Sequence, residues 1–471
     1  MTTKRDQTQA YFFLVGRLVA GLLNGEPDAL QRPNRRPSVG TAVGVLLTIL
    51  VAAGFGIYGL LRPGGPMSWR AKSGAIVLVE ETGARYVYVD GTLFPVLNYA
   101  SARLALGAEA PVEVVSRDSL SGMPVGAPIG IPGAPDGLPS RASLYTGPWS
   151  VCARPSLGSS RPSALTTVVF GAAGAAAPAL SDDQALLVST SDGKVFLIWH
   201  GRRYRIASAA ALVALGYGSL NRLPVTEAWI NPVPAGPDLG FPPVTGRGRP
   251  GPTLGGAPGV VGRVYEWHNP ALSTSELFLL RTDGLALLSR TVAALVLADP
   301  ATKAAYGDAP VRRVPIGADE VAAARVVDLT TFVTNFPPEP PRAANNTGAD
   351  VACVRHTLDA TAPSVAATLM PPAALASAVS LAGPAATRTT ADEVVVAAAS
   401  GVFARNAAAP GTVYLITESG VKYPIADEES LSALGYVAAA AVPVSGELLA
   451  LLPTGPVLST TAARATQPAG T

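Results

Sequence analysis

The chain has 471 residues, more than one ordinary hydrophobic core organises, so a spanning element plus one or more folded units is the natural expectation. Charged residues make up 14% against 48% hydrophobic, and Lys plus Arg exceed Asp plus Glu by only two, 35 against 33. That balance gives no electrostatic footing for a nucleic-acid partner, and the 48 glycines and 43 prolines mark a loop-rich chain.

The first predicted element is a helix from Gln7 to Asn24, with Tyr11, Leu14 or Val15, Leu18 and Leu22 near one face and Gly25 and Pro27 as stop signals. Its polar side carries only Arg17, so it lacks the basic face of a membrane-surface helix, and docking onto a partner protein is the better reading. From Val39 to Leu61 there is no charge, a stretch long enough at about 1.5 Å per residue to cross a hydrocarbon layer of roughly 30 Å. A leader of residues 1–38 is too long for a cleaved signal peptide, so the stretch reads as an uncleaved signal anchor; a buried core helix of this length would show a polar face. Lys4, Arg5, Arg17, Arg32, Arg35 and Arg36 precede it, against Arg62, Arg70 and Lys72 after it, which keeps residues 1–38 in the cytoplasm and sends the remainder outside. Tyr58 is a candidate for the outer interface with Trp69 just beyond it, and residues 62–74 form a linker.

Residues 75–452 carry four similar segments, near 75–106, 185–217, 277–299 and 413–436. Each has a strand of β-branched and aliphatic residues, a polar-polar-Gly turn at Gly83, Gly193, Gly284 or Gly420, a returning strand and a short helix. The third is the most degraded, with Leu285-Ala286-Leu287 where the others keep Lys, Arg or Tyr. The expected class is α+β, mostly β: hairpin-plus-helix repeats around a central region, like a distorted propeller. Ser121 to Pro148 and Asn231 to Gly256 read as irregular Pro/Gly loops, and residues 453–471 as a disordered tail. Cys152 and Cys353, the only cysteines, fall on the oxidising side and are expected to pair; two separately buried thiols are the alternative.

The three histidines, His200, His268 and His356, are scattered without a second His or a Cys at ligand spacing, so no metal site is expected. No G-x-x-x-x-G-K-[ST] or G-x-S-x-G string occurs; the run Gly246-Arg247-Gly248-Arg249 leads into Pro250, not into a phosphate-binding helix. No cofactor and no catalytic residue are expected.

Several strings are specific: Thr3 to Leu18, TKRDQTQAYFFLVGRL; Arg85-Tyr86-Val87 with Asp90-Gly91; Pro95 to Tyr99; Gly130 to Asp136; Trp149-Ser150-Val151-Cys152; and Asn231-Pro232 with Gly236 to Leu239. On these the chain resembles, over nearly its full length, the EccB subunit of actinobacterial type VII (ESX-like) secretion systems. The resemblance implies a structural subunit of an inner-membrane translocation assembly, built with an EccC-type motor ATPase, a multispanning EccD-like protein, an EccE-like protein and other copies of itself. It implies that the N-terminal helix contacts those partners and that the outer domain, tied by one disulfide, gathers at the exit side of the pore. ATP hydrolysis has been attributed to some members. The readings that compete with an assembly role are a membrane-anchored hydrolase with converging carboxylates and a cell-wall-binding module with an exposed aromatic groove.

Overall fold

The computed structural model describes residues 3–25, 35–61, 67–156, 163–171, 177–254, 256–327, 335–344, 350–359, 363–381, 389–409 and 411–468. Pro27, Arg32, Arg62 and the last three residues, all named above, lie outside them. The chain forms two compact units, residues 1–93 with 111–125, and residues 94–110 with 126–471.

In the first unit, helix α1 (Lys4–Asn24) starts three residues earlier than its apolar spacing predicts. The Asp6 carboxylate accepts from the Thr3 N–H at 3.0 Å and from its hydroxyl at 2.6 Å, closing the first turn, and Gly25 at φ +70° ends the helix. Helix α2 (Arg35–Leu61) contains the apolar stretch Val39–Tyr58, none of it buried, long and apolar enough by composition to cross a membrane. Trp69, placed just beyond the interface by sequence, is not an exposed anchor. It is buried with Val77, Tyr88, Leu93 and Val115 in the core of the first β-sheet, its ring edge-on to Tyr88 at 5.1 Å.

Four lobes share one strand order. In each, three antiparallel strands are followed by a helix and by a short strand that returns parallel to the first. The strands are Ala75–Val79, Arg85–Val89 and Thr92–Pro95 with Val112–Val115 returning; Gln184–Thr190, Val195–Trp199 and Arg202–Ile206 with Leu223–Val225; Val264–Asn269, Thr274–Arg281 and Gly284–Leu288 with Val314–Pro315; and Val402–Asn406, Val413–Ile416 and Lys422–Ile425 with Val442–Val444. Each helix starts where a short polar side chain caps it: Asn98, Ser208, Ser289 and Asp427 each accept from the main-chain N–H three residues on.

The hairpins expected from sequence are out of step. Gly83 and Gly193 turn between the first and second strands of their lobes, whereas Gly284 and Gly420 turn between the second and third. All four have positive φ. The true first strands of the last two lobes, Val264–Asn269 and Val402–Asn406, lie before the predicted segments. Alternating strands and a Gly turn look the same in either hairpin of a three-stranded meander, so the pattern alone cannot set the register.

The loops expected to be irregular are also structured. In three lobes a Gly/Pro-rich segment lays itself parallel to the third strand, pairing Val96 with Ile129, Ile206 with Leu239 and Ile425 with Leu458 at one identical spacing along the chain. Residues 453–468, predicted as a disordered tail, are therefore the last lobe's closing segment and a helix, Thr460–Arg464; Leu458 and Ala463 are fully buried. Small and polar residues misled the reading because these segments are held by main-chain bonds and not by an apolar stripe. Each passes a glycine under an aromatic ring of the third strand: Gly126 under Phe94, Gly236 under Tyr204, Gly455 under Tyr423. Pro250–Leu254, also within an expected loop, pairs with Ala257–Val260.

No closed barrel or propeller forms among the described residues. In the second unit the centre is a six-stranded sheet, ordered Ser364–Met370, Val351–Thr357, Trp149–Pro155, Ala164–Val169, Glu393–Val395 and Val379–Ser380. One face, with Trp149, Val151, Val168, Val354 and Val394, packs against Leu186, Ile198 and Trp229 of the second lobe and Val402, Ile416 and Leu448 of the fourth. The lobes also meet through their helices: Leu295 of the third-lobe helix enters the second lobe's core, and Leu104 of the first-lobe helix enters the fourth's.

A Cβ at Gly236 would stand 2.7 Å from the buried Tyr204 ring, and one at Gly455 closer still to Tyr423. Gly236→Ala and Gly455→Ala should each cost about 1–3 kcal/mol by overpacking, read as a lowered urea midpoint of the full-length protein in detergent.

Candidate functional site

α1 is exposed on the expected face at Tyr11, Leu14, Leu18 and Leu22, but Phe12 and Phe13 are equally exposed, so its apolar surface wraps past one stripe. The adjacent aromatic residues conceal this in a count of helical spacing. Asp6 in the first turn is the helix's acidic group, its carboxyl held below the usual range by the Thr3 hydroxyl. The polar-polar-Gly turns are hairpin tips of four separate sheets.

Cys152 and Cys353 are joined by a disulfide. They face each other in register on the neighbouring antiparallel strands Trp149–Pro155 and Val351–Thr357, both fully buried, with Val169, Val351, Met370 and Leu375 around them on the face opposite the lobes. The bond closes a sequence separation of 201 residues, and on the chain-entropy model that constraint stabilises the fold by about 5 kcal/mol.

Three residues beyond Cys353, His356 pairs across the ladder with Trp149 and is buried. Its Nε2 and the Trp149 Nε1 have no hydrogen-bond partner among the described residues. Burial pushes the imidazole down to about 4. The remaining histidines are engaged locally: His200 stacks on Trp199 at 3.8 Å and lies 3.3 Å from Asp182, and His268 Nδ1 is 3.1 Å from Ser275 Oγ. Among the described residues no group of three His, Cys, Asp or Glu could hold a metal.

A cleft of 470 Å³ beside the second lobe is lined by Thr190, Ser191, Thr226, Glu227 and Asp392. Asp392 is engaged there, accepting from the Thr166 N–H at 2.7 Å, so the cleft presents hydroxyls more than convergent free carboxylates. Lys194, in the Asp192-Gly193-Lys194 turn, pairs back to Asp192 at 2.7 Å, whose carboxyl its bond and that of Thr190 lower to about 2. Sequence reasoning missed two cations that cap helix ends: Lys422 Nζ donates to the Leu449 and Leu452 carbonyls at 2.7 and 2.6 Å, and Arg203 donates to Ile230 O at 2.8 Å. Their shared signal was their position, each one residue before the ring-bearing Tyr423 or Tyr204.

Replacing both cysteines, as Cys152→Ser with Cys353→Ser, should lower unfolding free energy by about 4–5 kcal/mol in urea titrations of the full-length protein. The His356 imidazole stays neutral in the fold to about pH 4 but protonates near 6.5 when unfolded, so the unfolded state takes up the proton first. Stability present above pH 6.5 is then lost as pH falls towards 4, by at most about 3 kcal/mol; His356→Leu should flatten that acid-side slope in the same titrations.

The family model described as "Type VII secretion system ESX-1, transport TM domain B" matches residues 1–469. The protein called ESX-3 secretion system ATPase EccB3 from Mycobacterium tuberculosis is 30% identical, with 97% of this chain and 88% of that protein covered. ESX-2 secretion system ATPase EccB2 from the same species is 29% identical over 98% and 94%. Among solved structures, a chain of the periplasmic assembly from the ESX-5 inner membrane complex superposes with TM-score 0.67 at 25% identity, covering 87% of this chain and 96% of that one. The EccB3 dimer from the ESX-3 core complex gives 0.64 at 26%, covering 83% and 100%. With a match that runs from the N-terminal helix through the apolar helix to the last lobe, the chain belongs to the EccB family of type VII secretion systems.

Proposed function

We propose that this chain is a structural subunit of an ESX-type inner-membrane secretion complex. The observation that carries this reading is a family match continuous from residue 1 to 469, joining an apolar helix to a disulfide-tied folded region whose fold matches chains of such complexes. In this reading residues 1–38 lie in the cytoplasm, α2 crosses the bilayer, residues 62–74 link it to the outer domain, and residues 75–468 fold outside. The excess of basic residues before α2 supports that orientation, as does a disulfide, which persists in an oxidising compartment. The four lobes are copies of one unit, and their outer domain contributes to the exit side of the pore.

The exposed face of α1, with Tyr11, Leu14, Leu18 and Leu22, docks an EccC-type ATPase or the EccD-like and EccE-like membrane proteins, alongside further copies of this chain. Relatives carry the word ATPase in their names, but the present sequence holds no phosphate-binding loop, and its cleft carboxylate Asp392 is bonded to the main chain.

Mild detergent extraction of the tagged full-length chain, followed by mass spectrometry, should recover a large membrane ATPase. Leu14→Asp with Leu18→Asp should cut that recovery about tenfold while leaving membrane insertion unchanged. A chain that purifies alone and hydrolyses ATP would replace this reading with an enzymatic one.

A further inference from the structure

The strand that returns parallel to the first is the outer edge of every lobe, and aligning the lobes on the helix cap that follows it (Ser116, Thr226, Gly317, Ser445) exposes one difference. The residue two places before the cap is Pro224, Pro315 and Pro443 in the second, third and fourth lobes, and Val114 in the first. The direction of the main chain there is fixed by its bonds: Ile76 N–H donates to Pro111 O and Glu80 N–H to Val115 O. Pro111, Glu113 and Val115 therefore face the first strand, and Val112 and Val114 turn their N–H and C=O groups to the open edge. Ile316 N–H donating to Glu266 O, and Ala407 N–H to Val444 O, put Pro315 and Pro443 in the same outward position. In three lobes a proline removes the outward donor at this central position, a usual means of blocking an edge. In the first lobe the donor remains. Val112 and Val114 are 41% and 60% exposed, and no strand among the described residues pairs with them.

We propose that the outer strand of the first lobe, Val112–Val115, is a self-pairing edge through which two copies of this chain join their sheets, with Val114 on the twofold axis. The proposal rests on the assembly reading above and names the surface it uses. A second copy is the occupant because the edge is self-complementary: an antiparallel pair centred on Val114 exchanges two main-chain bonds between the two Val114 residues and stacks their exposed side chains. That register sets Glu113 against Val115 of the second copy and not against its own counterpart. Lys72, at 2.7 Å, already neutralises Glu113, so the edge presents no repelling charge. The relatives of known structure include a dimer.

The test uses the full-length chain in native membranes and in detergent. Val114→Cys should form a symmetric disulfide-linked dimer under mild oxidation, since paired strands bring such residues to about 5.5 Å, within disulfide reach. Val125→Cys, equally exposed in the same unit, serves as the control and should crosslink at least about tenfold more slowly. Val114→Pro, which copies the three other lobes, should weaken self-association about tenfold or more for the lost bonds with an unchanged unfolding midpoint. Crosslinking at Val114 no faster than at Val125, or unaltered self-association of Val114→Pro, overturns the proposal. If the membrane ATPase still co-purifies in that case, the edge is wrong and the assembly reading survives; loss of the ATPase from the wild-type preparation sinks the assembly reading instead.

Discussion

The second unit depends on one apolar surface, the face of the central sheet that carries Trp149, Val151, Val168, Val354 and Val394. Neither the second nor the fourth lobe has enough sheet to bury both of its own faces, and each completes its core there. The strands of that sheet come from two distant stretches of chain, 149–169 and 351–395, so its formation waits on contacts of long sequence separation, which are slow to find and costly in loop entropy. The Cys152–Cys353 bond sits on the reverse face of the same ladder and fixes one of its long-range pairings, between residues 201 apart.

Within the second unit the lobe helices associate by twos. The first-lobe helix packs with the fourth lobe and the second-lobe helix with the third, so apolar faces left open by each hairpin set are covered by a neighbour. Equivalent positions keep equivalent jobs. Ser101 accepts from Ile131 N–H at 2.8 Å, and Ser430 accepts from Thr460 N–H at 3.1 Å; Tyr217 donates to Pro341 O and Tyr436 to Pro139 O, at 2.7 and 2.6 Å. Burial raises both phenols, which keeps them as donors.

What could be read from sequence followed from signals that carry their own physics. An uncharged run from Val39 to Leu61 admits few readings, two lone cysteines allow one pairing within the chain, and the specific strings around Trp149 and Gly130 pointed to the family. Strand content and helix caps were also legible. The register of the hairpins was not, because the turns at Gly284 and Gly420 use the same chemistry as those at Gly83 and Gly193. Nor were the closing segments, since Thr454 to Leu458 differs from a linker only in what its main chain touches. The extra exposure of Phe12 and Phe13 on α1 was hidden for a related reason: a helical stripe was sought, and the apolar surface is broader than a stripe.

The closing segment of the last lobe also reaches the first. Arg464 donates to Ala105 O, Gln467 N–H to Pro128 O, and the Gln467 amide to Gly130 O, while Leu104 shares a core with Leu458 and Ala463. Ribosomes deliver a chain from its N-terminus, so Leu104 and the main chain around Gly130 emerge hundreds of residues before the groups that cover them. Those surfaces of the first-lobe helix and closing segment stay uncovered until the C-terminal residues that pack on them have been made.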